Sequence, residues 1–131
     1  MKRLTTVTLI LLSFLGAQES MIYWNSLSTS VKVDVPIAED ETLEGGRVQI
    51  RVSFDGGDHF KDLGQPFPIE GGDLSDLKEI LIPRQDFVSL DGYSEGGTAQ
   101  FIAEIWDRAG NSVVGTVSDS VLTIDETIPV L

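Results

Sequence analysis

The sequence predicts an all-β antiparallel sandwich of about seven strands behind a short N-terminal export signal. Three observations lead there. Apolar and polar residues alternate with period two in several segments, the pattern of strands with one buried face. Gly-Gly pairs at 45–46, 56–57, 71–72 and 96–97 fall between those segments, where a sharp reversal needs backbone freedom. The one continuous apolar run, residues 4–15, stands at the N-terminus and is short for a bilayer span.

That run follows Lys2 and Arg3 and ends at Gly16-Ala17, the layout of a secretory signal peptide cleaved after Ala17. Residues 1–17 are therefore expected to stand apart from the sandwich, and the mature chain to begin near Gln18. An uncleaved membrane anchor is the alternative. No cysteine follows the run, which excludes a lipoprotein anchor, and none occurs anywhere, so no disulfide braces the exported chain. Such a chain fits a bacterial secreted or envelope protein. The formal net charge is −12, and loss of Lys2 and Arg3 leaves seven of nine basic residues against 21 acidic ones. That surface repels nucleic acid and anionic membranes. No stable membrane span is expected after cleavage.

Residues 18–28 form an N-terminal extension and 29–125 the sandwich. The first strand is 29–37, with Val31, Val33, Val35 and Ile37 on one face and Lys32 and Asp34 on the other. The second is 46–54, where Val48, Ile50, Val52 and Phe54 alternate with Arg47, Gln49, Arg51 and Ser53. Shorter candidates follow at 59–63, 67–69 and 78–83. The segment 73–81 begins with capping residues and carries leucines at helical spacing, yet Ile80, Ile82 and Pro83 favour an extended continuation, so at most one helical turn is expected near 74–77. The sixth strand, 98–107, alternates Ala99, Phe101, Ala103 and Ile105 with Gln100 and Glu104. The last, 112–124, is interrupted by Gly115. Residues 126–131 begin a linker.

Two stretches carry a family resemblance. Asp107-Arg108-Ala109-Gly110-Asn111, with Gly110 and Asn111 suited to positive φ, precedes a strand that ends in Thr123-Ile-Asp-Glu-Thr-Ile-Pro129. This resembles the closing hairpin and exit linker of bacterial immunoglobulin-like repeats. Val52-Ser-Phe-Asp-Gly-Gly-Asp-His-Phe60, followed by Gly72-Asp73, resembles a fibronectin-type-III-like module of bacterial surface proteins, although Ile80-Leu81-Ile82 lacks the aromatic usual there. The resemblance implies a spacer, an adhesion unit or an accessory domain, with adjacent domains of a longer chain or cell-surface components as partners.

Ser53-x-Asp55-x-Gly57-x-x-Phe60 also fits the Asp-box of β-propellers, but it occurs once, and a propeller needs it in several blades. His59 is the only histidine and has no evident partner for catalysis, so it reads as a solvent-facing turn residue and the chain as a non-enzyme. Trp24 and Trp106 are the candidate sugar-stacking residues, the alternative being that Tyr23 and Trp24 form a strand or flap covering Trp106. Strand parity places Asp55, Asp58, Asp107 and Asn111 at one pole of the sandwich. Glu39, Asp40, Glu41, Glu44, Asp91, Glu95, Asp125 and Glu126 fall at the other. Crowded carboxylates at a domain junction suit calcium, with Glu41, Glu44, Asp91, Glu95, Asp125 and Glu126 as candidate ligands. A set of ordinary solvated acidic loops is the competing reading.

The resulting expectation is a non-catalytic structural or adhesion-type module of an exported bacterial protein, one unit of a larger chain. A carbohydrate- or cell-wall-binding module and an accessory domain of an extracellular hydrolase are the alternatives.

Overall fold

The computed structural model describes residues 11–12, 21–115, 117–118 and 121–127. Its strands are β1 (Leu11–Leu12), β2 (Met21–Trp24), β3 (Ser30–Ile37), β4 (Arg47–Ser53), β5 (Lys61–Asp62), β6 (Phe67–Pro68), β7 (Asp76–Pro83), β8 (Thr98–Trp106), β9 (Ser112–Val114) and β10 (Val121–Ile124). A short helix, α1 (Arg84–Val88), follows β7, and 3₁₀ turns cover Glu41–Leu43 and Gly71–Asp73. The chain is mostly β, as its alternation predicts.

Two sheets share one core. In the smaller, β3 pairs antiparallel with β7 along its whole length, Ser30 opposite Pro83 and Ile37 opposite Asp76. β1 lies antiparallel on the other edge of β3, opposite Asp34 and Val33. The larger, seven-stranded sheet runs β2-β10-β8-β4-β5, with β6 also on β4 and β9 also on β8. It is mixed: β2 lies parallel to β10, and the remaining pairs are antiparallel.

The alternation read in the sequence sets which faces meet. Val31, Val33, Val35 and Ile37 of β3 and Ile80 and Ile82 of β7 point inward against Val48, Ile50, Val52, Phe101, Ala103 and Ile105. All of these are buried. Arg47 and Arg51 stay on the outer face as expected. Gln49 shares that face but is buried, because the chain at Leu63 and Gly64 crosses it and their carbonyls accept from its amide.

Four expectations change. Residues 59–63 and 67–69 are not two strands: β5 and β6 both lie antiparallel beside β4, at Arg51–Val52 and Arg47–Val48, as one broken strand running in one direction. Counting them as two inverts the direction assigned to everything downstream. The helical turn falls at Arg84–Val88, after Pro83, where residues 74–77 were expected to supply it. The N-terminal extension contains a true strand, β2. The last strand is split into β9 and β10, and the amides of Gly115 and Ser118 still reach the carbonyls of Ala103 and Phe101 between the two parts.

Gly46, in the β3–β4 connection, is fixed by its surroundings. A Cβ there would lie 1.9 Å from the Trp106 carbonyl oxygen, so no other residue fits without moving backbone. At the Asp107 hairpin Gly110 takes positive φ, 95°, and Asn111 does not. Of the N-terminal segment expected to stand apart, Leu11 and Leu12 are paired with β3; the rest of residues 1–17, with the cleavage point after Ala17, lies outside the described residues.

Candidate functional site

A dense set of polar contacts holds the chain where it leaves β10. It is built on the pole where β2, β4, β7 and β10 end. Pro83, with φ −61° and an extended ψ of 151°, ends β7 and stands as the N-cap of α1. One turn then points Phe87 into the core and Arg84 along the pole. Phe87 is the hub of an aromatic cluster: its ring centroid lies 4.9 Å from Trp24, 5.3 Å from Tyr93, 5.9 Å from Phe54 and 6.1 Å from Phe101. The contacts with Trp24 and Tyr93 are edge-on, the geometry that ring quadrupoles favour.

Above that floor sits Glu126. Arg84 and Tyr93 both donate to its carboxylate, Arg84 through Nη2 and Tyr93 through its hydroxyl. The other guanidinium nitrogen donates to the carbonyls of Asn25 (3.2 Å) and Ser28 (2.8 Å), tying the β2–β3 loop to the same point. The Arg84 guanidinium also stands 5.3 Å over the Trp24 ring. Glu95 adds a second hold: its carboxylate accepts from the Glu126 amide (2.8 Å) and from the Thr127 hydroxyl (2.9 Å).

The titration behaviour follows from these bonds. The Tyr93 hydroxyl holds the Glu126 carboxyl below the usual range, and Arg84 adds to the pull against the cost of burial. The Tyr93 phenol is pushed up to about 12, by burial first and by the Glu126 carboxylate second. Glu95 is lowered by the Glu126 amide and the Thr127 hydroxyl.

This arrangement redistributes the calcium candidates. Glu41 and Glu44 lie at the opposite pole, beside the Asp107 hairpin: the Arg108 guanidinium donates to the Glu41 carbonyl at 3.1 Å and the Arg108 amide to Thr42 at 2.9 Å. Asp91, Glu95, Asp125 and Glu126 do share the exit pole, joined there by Asp55 and Asp58, which parity had placed with Asp107. The six residues Glu41, Glu44, Asp91, Glu95, Asp125 and Glu126 are thus not one cluster. Among the described residues no group of three or more carboxylate or histidine side chains is placed to hold a metal ion. Glu126 and Glu95 spend their oxygens on protein donors.

The aromatic candidates also separate. Trp24 is fully buried and offers no face to a sugar. Trp106 is half-buried on the outer face of the large sheet, at the pole away from Trp24, so Tyr23 and Trp24 form a strand that does not cover it. The Arg47 guanidinium covers the Trp106 ring at 4.0 Å. Beside it Arg51 bridges Asp62 (2.8 Å) and Glu104 (2.6 Å), and Ser112 donates to Glu104 at 2.6 Å.

His59 has a partner that sequence reading missed. Its Nδ1 stands 2.7 Å from Asp55 Oδ2, across one turn of the hairpin. Asp55 Oδ1 accepts from the Ser53 hydroxyl (2.7 Å) and from the amides of Asp58 and His59. The Ser53 bond, then those of His59, lower the Asp55 carboxyl strongly, and Asp55 in turn raises His59. Serine, aspartate and histidine are adjacent here, but the serine donates to the aspartate and makes no bond to the histidine, so no base is aimed at the hydroxyl. The S-x-D-x-G spacing is a turn brace. Asp107 braces the other hairpin in the same way, accepting from the amides of Ala109 and Asn111 at 2.9 Å each.

No protein-family model matches this chain, and neither curated proteins nor solved structures give a match. No helix among the described residues is long and apolar enough to cross a membrane.

Proposed function

We propose that this chain is a non-catalytic structural module of an exported bacterial protein, an immunoglobulin-like sandwich that fixes the direction in which the polypeptide leaves it. The observation that carries this reading is the clamp. A linker residue, Glu126, is bonded by groups from α1 and the β7–β8 connection, and its neighbour Thr127 by Glu95. A domain at the end of a floppy tether needs none of this; a domain that sets the angle of its neighbour does. The route of the chain agrees, since β2 and β10 run parallel, in from one pole and out at the other.

The immunoglobulin-like reading is supported by the strand order. β4, β8 and β9/β10 stand as the C, F and G strands, β5/β6 as an added C′-type strand, and β3 with β7 as the B–E pair of the facing sheet. The export signal at 1–17, a secreted or cell-envelope location and adjacent domains or cell-surface components as partners belong to the same reading.

Small-angle scattering on a fusion with a rigid folded domain placed after Leu131 tests it. The wild-type fusion should show one preferred separation, and the double variant Glu95→Gln, Glu126→Gln a broadened one. Equally broad profiles for both would remove the spacer reading. Export is tested separately, by N-terminal sequencing of secreted material, which should begin near Gln18.

A further inference from the structure

Among the described residues, most of the outer edge of β3 has no strand partner. The carbonyls of Thr29 and Ile37 point toward β7, accepting from Arg84 and Ser75. In an antiparallel strand this direction alternates residue by residue. Ser30, Lys32, Asp34 and Pro36 therefore turn their backbone groups outward. Pro36, which has no N–H to give, falls in the outward set, where an edge tolerates it. Among the described residues only the two residues of β1 pair with this eight-residue edge.

The side chains on the edge are charged in a particular order. Asp34 lies directly opposite Glu79 of β7, a like-charge pair that disfavours the sheet. Lys32 reaches Glu79 diagonally at 2.9 Å, and among the described residues Asp34 has no ion-pair partner. Set two copies of β3 antiparallel with Val33 on the two-fold axis. Lys32 then faces Asp34 of the second copy, twice, and Val31 faces Val35. The outward backbone groups meet in register, with only the proline N–H missing. Such a two-fold contact is self-complementary and closes on itself. The outer edge of β7 lacks this property: a two-fold on Ile80 places Glu79 against Leu81 and Lys78 against Ile82, and one on Glu79 places like charges opposite each other.

We infer that the β3 edge is a pairing surface for a second copy of this chain. Leu11 and Leu12 occupy part of it in the full chain, and removal of residues 1–17 takes that pairing away. This rests on the export reading only for which form carries the open edge. Among the described residues, every buried hydrophobic residue of the core lies between Ile22 and Ile124, all of which the chain starting at Gln18 retains.

Sedimentation equilibrium on the 18–131 chain and on the full chain tests the inference. The shorter chain should dimerise and the full chain should do so more weakly. Lys32→Asp or Asp34→Lys alone should raise the dimer Kd on the order of tenfold or more, since each creates two like-charge pairs, and the double exchange should restore it. Circular dichroism melts confirm that each variant is folded. Amide exchange gives a readout without substitution: the Lys32 and Asp34 amides should become protected as concentration rises. A shorter chain that stays monomeric, or a dimer indifferent to both single exchanges, overturns the inference. Dimerisation of the 18–131 chain together with secreted material starting at Met1 would leave the pairing surface standing and remove the export reading.

Discussion

At the scale of single residues, carboxylates that look interchangeable in the sequence do different work. Glu126 and Asp125 are neighbours, yet Glu126 is the one held by Arg84 and Tyr93. Glu126→Gln keeps the shape and removes the charge, so chemical denaturation should show a loss of about 1.5–3 kcal/mol, the range for a hydrogen bond to a charged group. The sign of the pH dependence follows from the two shifts. Glu126 is lowered in the folded chain, so its contribution is present above its ordinary value and fades as pH falls through the folded one. Tyr93 is raised to about 12, so its contribution is present below the ordinary value of 10.0 and fades as pH climbs through the folded one. The stability difference between wild type and Glu126→Gln should therefore be level from about pH 5 to 9 and shrink outside that window. A difference that grows in acid would refute the assignment. Gly46 is another residue whose identity is forced. Gly46→Ala drives a methyl into the Trp106 carbonyl and should cost about 1–3 kcal/mol, where an ordinary surface glycine would cost little.

At the scale of elements, what could be read in the sequence is what has a period. β3, β4 and β8 are long enough for alternation to declare itself, and their buried faces are the ones the pattern names. The elements that build the clamp have no period. α1 is five residues long and β2 four, too short for either pattern, and each is held by tertiary contacts, Phe87 and Trp24 packing on each other. The broken strand β5/β6 cost more than itself. Two short apolar segments separated by Gly64-Gln65-Pro66 look like two strands, and the direction of every later element depends on the count. That single miscount put Glu41 and Glu44 with Glu126, and Asp55 away from Asp91. Composition did point to acidic loops, but sign alone cannot say which carboxylate meets an arginine. If α1 is the keystone described here, Phe87→Ala should cost about 3–5 kcal/mol. It should also release the Arg84 contacts, so that amide exchange rises at Asn25–Ser28 and Asp125–Thr127 together. Exchange that rises around residue 87 alone would mean that the helix is a local feature.

At the scale of the whole molecule, the sandwich joins two poles of different character. One pole carries the Asp107 hairpin, fastened to the β3–β4 connection through Arg108. The other carries the exit, fastened by α1 and Glu95. Between them the paired sheets are stiff, so whatever precedes β2 and whatever follows β10 are held in a defined relation if the clamp holds. That condition can be measured directly, and the absence of cysteine makes it clean. Spin labels at Ala109→Cys, on the far hairpin, and Ile128→Cys, just past the clamp, report the distance across the module by double electron–electron resonance. A narrow distribution in the otherwise native chain, broadening when Glu95→Gln and Glu126→Gln are added, is the result expected of a module that sets the direction of its exit. A broad distribution in both would show that Arg84, Tyr93 and Glu95 do not fix the exit, and would contradict the account.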